Sequence, residues 1–194
     1  MSPGVRQRTL MLLTSIYAFS FIDRVVIALV AQGMKADLGI SDFQIGLLGG
    51  SAFAFVNTLA TLPLARLAER FRRTTIIGIS ILVGSAFTLA CAIASSFGQL
   101  LVLRMGMAFG SAGTEAPAHS VISDMYDRTR RASAIAIFSL GVPLASIIGA
   151  YAAGLTGETH GWRATFVVFG APGLLLGIVG LFLMREHERE KAPE

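Results

Sequence analysis

Thr9-Leu10-Met11-Leu12-Leu13-Thr14-Ser15-Ile16-Tyr17-Ala18-Phe19-Ser20-Phe21-Ile22-Asp23-Arg24-Val25-Val26-Ile27-Ala28-Leu29-Val30-Ala31-Gln32 is the stretch whose reading decides the fold. Apart from Asp23 and Arg24 it carries no charge. A helix of about 20 apolar residues, rising about 1.5 Å each, is enough to cross the hydrocarbon of a bilayer. Arg6 and Arg8 give its front the look of a secretory signal. Apolar character resumes over 25–31, however, and makes the run too long for an ordinary signal peptide. It reads as a retained first membrane helix, 9–32.

Five further runs follow. Gly33-Met34-Lys35-Ala36-Asp37 leads out of the first helix, and Ser41-Asp42-Phe43-Gln44 has the form of a capping box, so a second helix is expected over 42–67. Arg66, Arg70, Arg72 and Arg73 mark the next turn, and a third helix is expected over 74–94. The linker Ser95-Ser96-Phe97-Gly98 is short enough to force the fourth helix, 99–123, back beside the third. A charged segment at 124–131 precedes a fifth helix over 132–155, and a loop at 157–161 precedes a sixth over 162–184. The expected fold class is an all-α integral membrane protein, with residues 1–194 forming one bundle of six transmembrane helices.

Composition excludes several function classes. Of 194 residues, 54% are hydrophobic and 14% charged, leaving too little polar surface for a soluble domain of this length. The formal net charge of +4 does not indicate nucleic acid, because the arginines punctuate apolar runs and form no continuous basic face. Cys91, the single cysteine, lies inside an apolar stretch and reads as packing, with neither disulfide nor metal implied. No nucleophile, base and orienting group converge and no phosphate motif occurs, so neither an enzyme nor a bound cofactor is expected. Nothing resembles the selectivity filter of a channel.

Basic residues orient the bundle. Twelve of them, Arg6, Arg8, Arg66, Arg70, Arg72, Arg73, Arg128, Arg130, Arg131, Arg185, Arg189 and Lys191, fall at the termini and in the second and fourth connections. Only Lys35 and Arg163 fall at the opposite end. The positive-inside rule then places both termini in the cytoplasm of a multi-pass protein of the cell membrane, the inner membrane if the source is Gram-negative. Glycines at 46, 49 and 50, at 106, 110 and 113, and at 141 and 149 imply close helix packing.

Charges inside the membrane are the candidate site. Asp23 and Arg24 lie about 20 Å from the cytoplasmic end of the first helix. Neither can be buried unpaired without a cost of several kcal/mol. Consecutive residues point about 100° apart, so Asp23 is expected to face the bundle and Arg24 a different neighbour. Arg104 enters from the outside at nearly the depth of Asp23, and an Asp23 to Arg104 interaction is the first expectation for the site. Spacings of seven and four put Arg104, Ser111 and Glu115 roughly on one helical face. Pro117 follows and can break the helix, and His119 stands beyond it as a candidate proton relay. A structural ion pair at Asp23, and a packing role for Glu115 near the inner mouth, remain open alternatives to substrate or proton handling.

Ala65-Arg66-Leu67-Ala68-Glu69-Arg70-Phe71-Arg72-Arg73 resembles the signature between the second and third helices of major facilitator superfamily transporters, with Glu69 in place of its aspartate and Arg70 and Arg73 as its bases. That resemblance implies a conformational gating loop at Glu69, Arg70 and Arg73. The segments Tyr17-Ala18-Phe19-Ser20-Phe21-Ile22-Asp23-Arg24, Arg104-Met105-Gly106-Met107-Ala108-Phe109-Gly110 and Pro117-Ala118-His119-Ser120-Val121-Ile122-Ser123-Asp124 resemble spinster-like facilitators and their bacterial relatives. Those proteins commonly carry a glutamate where this chain has Ser111, and Glu115 lies one turn beyond. The resemblance implies the amino-terminal half of the fold, two inverted three-helix repeats, and a secondary transporter, proton-coupled or facilitative, moving a small or amphipathic organic molecule by alternating access. The partners implied are the lipid bilayer, that substrate, protons, and a second six-helix half or a second copy. The alternative is a non-transporting membrane subunit or an incomplete half that requires a carboxy-terminal half.

Overall fold

The computed structural model describes residues 3–184, so the tail residues Arg185, Arg189 and Lys191 used to orient the bundle lie outside the described residues. The chain is helical almost throughout, and no strand occurs among the described residues. Its elements are α1 (Pro3–Leu38), α2 (Asp42–Gly46), a π-helical segment (Leu47–Ser51), α3 (Ala52–Arg70), α4 (Arg73–Cys91), α5 (Phe97–Ala112), α6 (Glu115–Met125), α7 (Arg128–Ser139) and α8 (Gly141–Leu183).

Local chemistry sets these boundaries. Gly39 ends α1 with φ +63°, the left-handed cap at which glycine carries no Cβ penalty, and its N–H donates to the Lys35 carbonyl at 3.0 Å. The capping box at Ser41 is present. Its hydroxyl accepts from the Gln44 amide at 3.3 Å, and the Gln44 side chain accepts from the Ser41 amide at 2.8 Å. The π segment inside the second span was not foreseen; there the Ala52 amide reaches back to the Leu47 carbonyl.

The span expected as one helix over 99–123 is broken between α5 and α6. Pro117 has no N–H to offer the carbonyl of Gly113, and its ring crowds that carbonyl. Gly113 and Thr114 instead close i→i+3 bonds to Gly110 and Ser111 at 3.4 and 3.3 Å.

Among the described residues, four helical stretches are long and apolar enough to cross a membrane: Gly4–Leu38, Asp42–Arg70, Arg73–Cys91 and Arg128–Leu183. The last runs through α7 and α8 and folds back on itself at Gly161, where φ is 79° and ψ is 169°. Nine residues of straight helix would separate Thr156 from Thr165 by about 13 Å, yet their hydroxyls lie 2.9 Å apart. α8 is therefore a helical hairpin. Its first arm runs parallel to α1, with Gly141 against Thr14 and Gly149 against Ile22. The second runs antiparallel to α4, with Gly170 against Leu89 and Gly177 against Leu82.

Lipid offers no hydrophobic drive for helix association, so close packing has to supply it. α4 and α5 meet backbone to backbone: a Cβ built on Gly110 would lie 2.5 Å from the Gly84 backbone nitrogen. Among the described residues three apolar clusters fill the interior, the smallest made of Phe53, Met107 and Ala108. Of the larger two, one gathers Ile22, Val26, Leu100 and Phe166, and the other gathers Leu13, Ile81, Ile122 and Phe138. Outward residues such as Phe55, Ile147 and Phe182 are exposed, as a lipid-facing surface requires.

Candidate functional site

α1 carries polar side chains on two faces. Tyr17, Ser20 and Arg24, spaced i, i+3 and i+7, share one of them. Asp23 points about 100° away from Arg24 into the bundle and is 5% exposed. The Thr88 hydroxyl of α4, which donates to the Gly84 carbonyl at 3.0 Å, stands beside the Asp23 carboxylate.

Arg104 of α5 is 1% exposed, and it meets Asp23 in a form the sequence did not suggest. Its guanidinium donates to the Asp23 main-chain carbonyl at 2.7 Å, to the Arg24 carbonyl at 3.4 Å and to the Leu48 carbonyl of the π segment at 3.2 Å. The Phe53 ring covers it at 4.9 Å. Among the described residues no ion pair joins the Arg104 and Asp23 side chains. The fork geometry of the guanidinium is why: fixed donors that reach three carbonyls on two elements satisfy the buried cation through the main chain.

Glu115, the first residue of α6, is brought instead to the other face of α1. The Tyr17 hydroxyl donates to Glu115 Oε1 at 3.2 Å, and Arg24 lies 3.7 Å from Glu115 Oε2. Arg24 thus has its own neighbour, distinct from that of Asp23. The Arg24 and Glu115 side chains are 27% and 44% exposed, and Arg24 lies within the apolar stretch Gly4–Leu38. His119, one turn along α6, packs edge-on against Phe138 at 5.1 Å, and Tyr17 stacks on the same ring at 4.4 Å.

The common face expected for Arg104, Ser111 and Glu115 does not form. The break at Gly113 rotates Glu115 away from the α5 register, and Ser111 turns to α3, accepting from the Asn57 amide at 2.8 Å. Asn57 also donates to the Ala108 carbonyl at 3.0 Å. The sequence reading passed over Asn57, Ser20, Thr88 and the hydroxyl of Tyr17. The signal that picked out Asp23, a polar residue within an apolar run, applies equally to Asn57.

At the end of α3, Glu69 and Arg70 are helical and exposed, while Arg73, at the start of α4, pairs with Asp124 of α6. Glu69 and Arg73 stand on the wall of a cavity of about 200 Å³ with Ala116, Pro117 and Ser120. Asp124, which lies 51 residues from Arg73, carries no local sequence signal for this role.

Residues 13–194 match the family described as Major Facilitator Superfamily. The chain is 31% identical over 85% of its length to an MFS-type efflux pump of Mycolicibacterium smegmatis, of which the match covers 38%. It is 25% identical over 90% of its length to a hexuronate transporter of Bacillus subtilis, covering 41% of that protein. The crystal structure of a bacterial homolog of the human lysosomal transporter Spinster superposes on the whole chain with TM-score 0.91 and 34% identity, and 46% of that protein is covered. The chain therefore spans less than half the length of these relatives.

Proposed function

The chain belongs to the Major Facilitator Superfamily, a family of multi-pass membrane transporters, and we propose that it forms the amino-terminal half of a secondary transporter whose substrate path runs along Arg24 and Glu115. The reading is carried by one observation: a carboxylate and a guanidinium, both partly exposed, sit 3.7 Å apart on adjoining helices, the guanidinium within a stretch long and apolar enough to cross a membrane. Charged groups in hydrocarbon cost several kcal/mol unless they face a partner or a water-filled cavity. A second six-helix half, or a second copy, laid over this face would close such a cavity and complete alternating access.

Glu115 is the proton-coupling candidate and Arg24 its counter-charge; His119 acts through Phe138. Asp23 and Arg104 hold the two helices in register behind them. Ser111 is neutral and tied to Asn57, so the carboxylate of the site is supplied from one turn further on. Glu69, Arg70 and Arg73, with Asp124, form the gating end, and the excess of basic residues there supports a cytoplasmic location for it and for both termini. The substrate is a small or amphipathic organic molecule.

The first test is the intact mass of the complex purified gently from its native membrane. A second six-helix chain or a self-dimer supports the reading. In that assembly, counterflow in vesicles should fall to background in both Arg24→Gln and Glu115→Gln. Counterflow unchanged by both overturns the assignment.

A further inference from the structure

Arginines crowd the beginnings of two neighbouring helices, Arg6 and Arg8 on α1 and Arg128, Arg130 and Arg131 on α7. α1 and the first arm of α8, which continues α7, run side by side and parallel, with Thr14 against Gly141 and Ile22 against Gly149. Carried back to the start of α7, that register puts Arg131 within about two residues, roughly 3 Å, of the level of Arg6. Both face the seam. Arg6 stands one and two turns before Leu10 and Leu13 on one stripe, Arg131 stands likewise before Ala134 and Phe138, and these four apolar residues share one buried cluster. The Nε atoms of Arg6 and Arg131 are buried and have no hydrogen-bond partner. Among the described residues neither guanidinium is paired with a carboxylate, although Arg73 at the same end of the bundle is.

Buried donors are seldom left unpaired, and two cations at one level of a seam repel each other unless an anion lies between them. Two planar guanidinium forks match the oxygens of a phosphate. The level of the pair in the membrane identifies the source of that phosphate. Gly4–Leu38 has 35 residues, about 52 Å of helix against about 30 Å of hydrocarbon. Its uninterrupted apolar run begins only at Leu10, so Arg6 and Arg131 stand where hydrocarbon gives way to lipid headgroups. Basic clusters at that depth attract anionic lipid. We propose that Arg6 and Arg131 clamp the phosphate of an anionic phospholipid in the seam between α1 and α7, with the exposed Arg8, Arg128 and Arg130 drawing it in. The lipid is a resident partner and not a cargo. Arg131 also donates to the Ser123 carbonyl near the end of α6 at 2.7 Å, so one phosphate joins α1, α6 and α7. The proposal requires only that these helices cross a bilayer and goes beyond the transporter reading.

The test is native mass spectrometry of the full chain, with any chain that copurifies, released from detergent micelles that hold equal amounts of dioleoylphosphatidylglycerol and dioleoylphosphatidylcholine. Phosphatidylglycerol should be retained and phosphatidylcholine, whose choline offsets its phosphate, should be lost. Inorganic phosphate added in excess separates the two sources of the oxyanion. It should leave the bound lipid in place, whereas displacement would mark a site for free phosphate.

Arg6→Gln and Arg131→Gln should each weaken retention of phosphatidylglycerol roughly tenfold, because each removes a charge-assisted fork. Arg6→Gln should leave the lipid-free chain at least as stable in thermal unfolding, since Arg6 has no carboxylate to lose among the described residues. Arg131→Lys keeps the charge without the fork and should restore only part of the retention. Arg72→Gln removes an exposed charge at the same end and should change retention by less than about twofold, because solvent and salt screen it from the seam. Equal retention of the two lipids, displacement by inorganic phosphate, unchanged retention in Arg6→Gln, or a loss in Arg72→Gln as large as in Arg6→Gln would each overturn the site. None of these arms reads flux. Their failure leaves the transport role standing, and a failure of counterflow leaves the lipid site standing.

Discussion

The Arg104 guanidinium meets Asp23 at its main-chain carbonyl, 2.7 Å away, and the Asp23 carboxylate stands against Thr88. The two residues are neighbours without being an ion pair, which separates the effects of replacing them. Arg104→Gln leaves three carbonyl contacts unmade in a buried space and should cost about 3–5 kcal/mol of stability. Asp23→Asn keeps the carbonyl and should cost about 1 kcal/mol. Thermal unfolding in detergent measures both; equal losses would restore the side-chain pair.

Tyr17 and Glu115 should be energetically coupled. In a double-mutant cycle of Tyr17→Phe and Glu115→Gln, the coupling expected from one hydrogen bond to a carboxylate is about 1–2 kcal/mol. Additive losses would show that the 3.2 Å contact does not contribute.

Arg73 and Asp124 join α4 to the end of α6, and the Asp124 side chain is half exposed, so the pair should be worth about 1 kcal/mol or less. Asp124→Asn should lower stability by that amount, and adding Arg73→Gln should then add less than it does alone. Accessibility of a cysteine placed at Ser120, labelled with a maleimide, reads the opening of the gating end. Faster labelling is expected in Asp124→Asn, and an unchanged rate would remove the pair from gating.

Gly110 tolerates no side chain. A Cβ there would meet the Gly84 backbone at 2.5 Å, and neither backbone can yield without parting α4 from α5. Gly110→Ala should cost about 1–3 kcal/mol, and Gly110→Leu should abolish recovery of folded protein. Size-exclusion profiles after extraction would check this. Gly50, against which nothing packs within 4 Å, is the control and should accept alanine with little loss.

Gly161→Ala should be costly for a different reason. Its φ of 79° and ψ of 169° fall where essentially glycine alone is at ease, and the penalty is about 1–3 kcal/mol although nothing crowds the site. A variant as stable as the parent would show that the hairpin of α8 adopts another turn.

The membrane class, the helical content and the cap at Ser41 are local properties, and the sequence determined them by itself; the end of α1 at Gly39 lies beyond the Gln32 read from the apolar run. Apolar run length and a hydroxyl three residues before an amide act within a few residues of each other. The polar positions at Asp23, Arg24, Arg104, Glu115 and His119 were legible for the same reason, because a charge in hydrocarbon is conspicuous wherever it stands.

What those groups touch was decided only by the tertiary structure. Glu115 lies 98 residues from Tyr17, and Asp124 lies 51 from Arg73. The rotation that turns Glu115 toward Arg24 comes from the break that Pro117 imposes at Gly113, compounded with the way Gly110 lets α5 sink against α4. Spacing along an unbroken helix predicts a common face for Arg104 and Glu115. One interrupted turn cancels that prediction, and a main-chain carbonyl, which has no sequence signature at all, then takes the arginine.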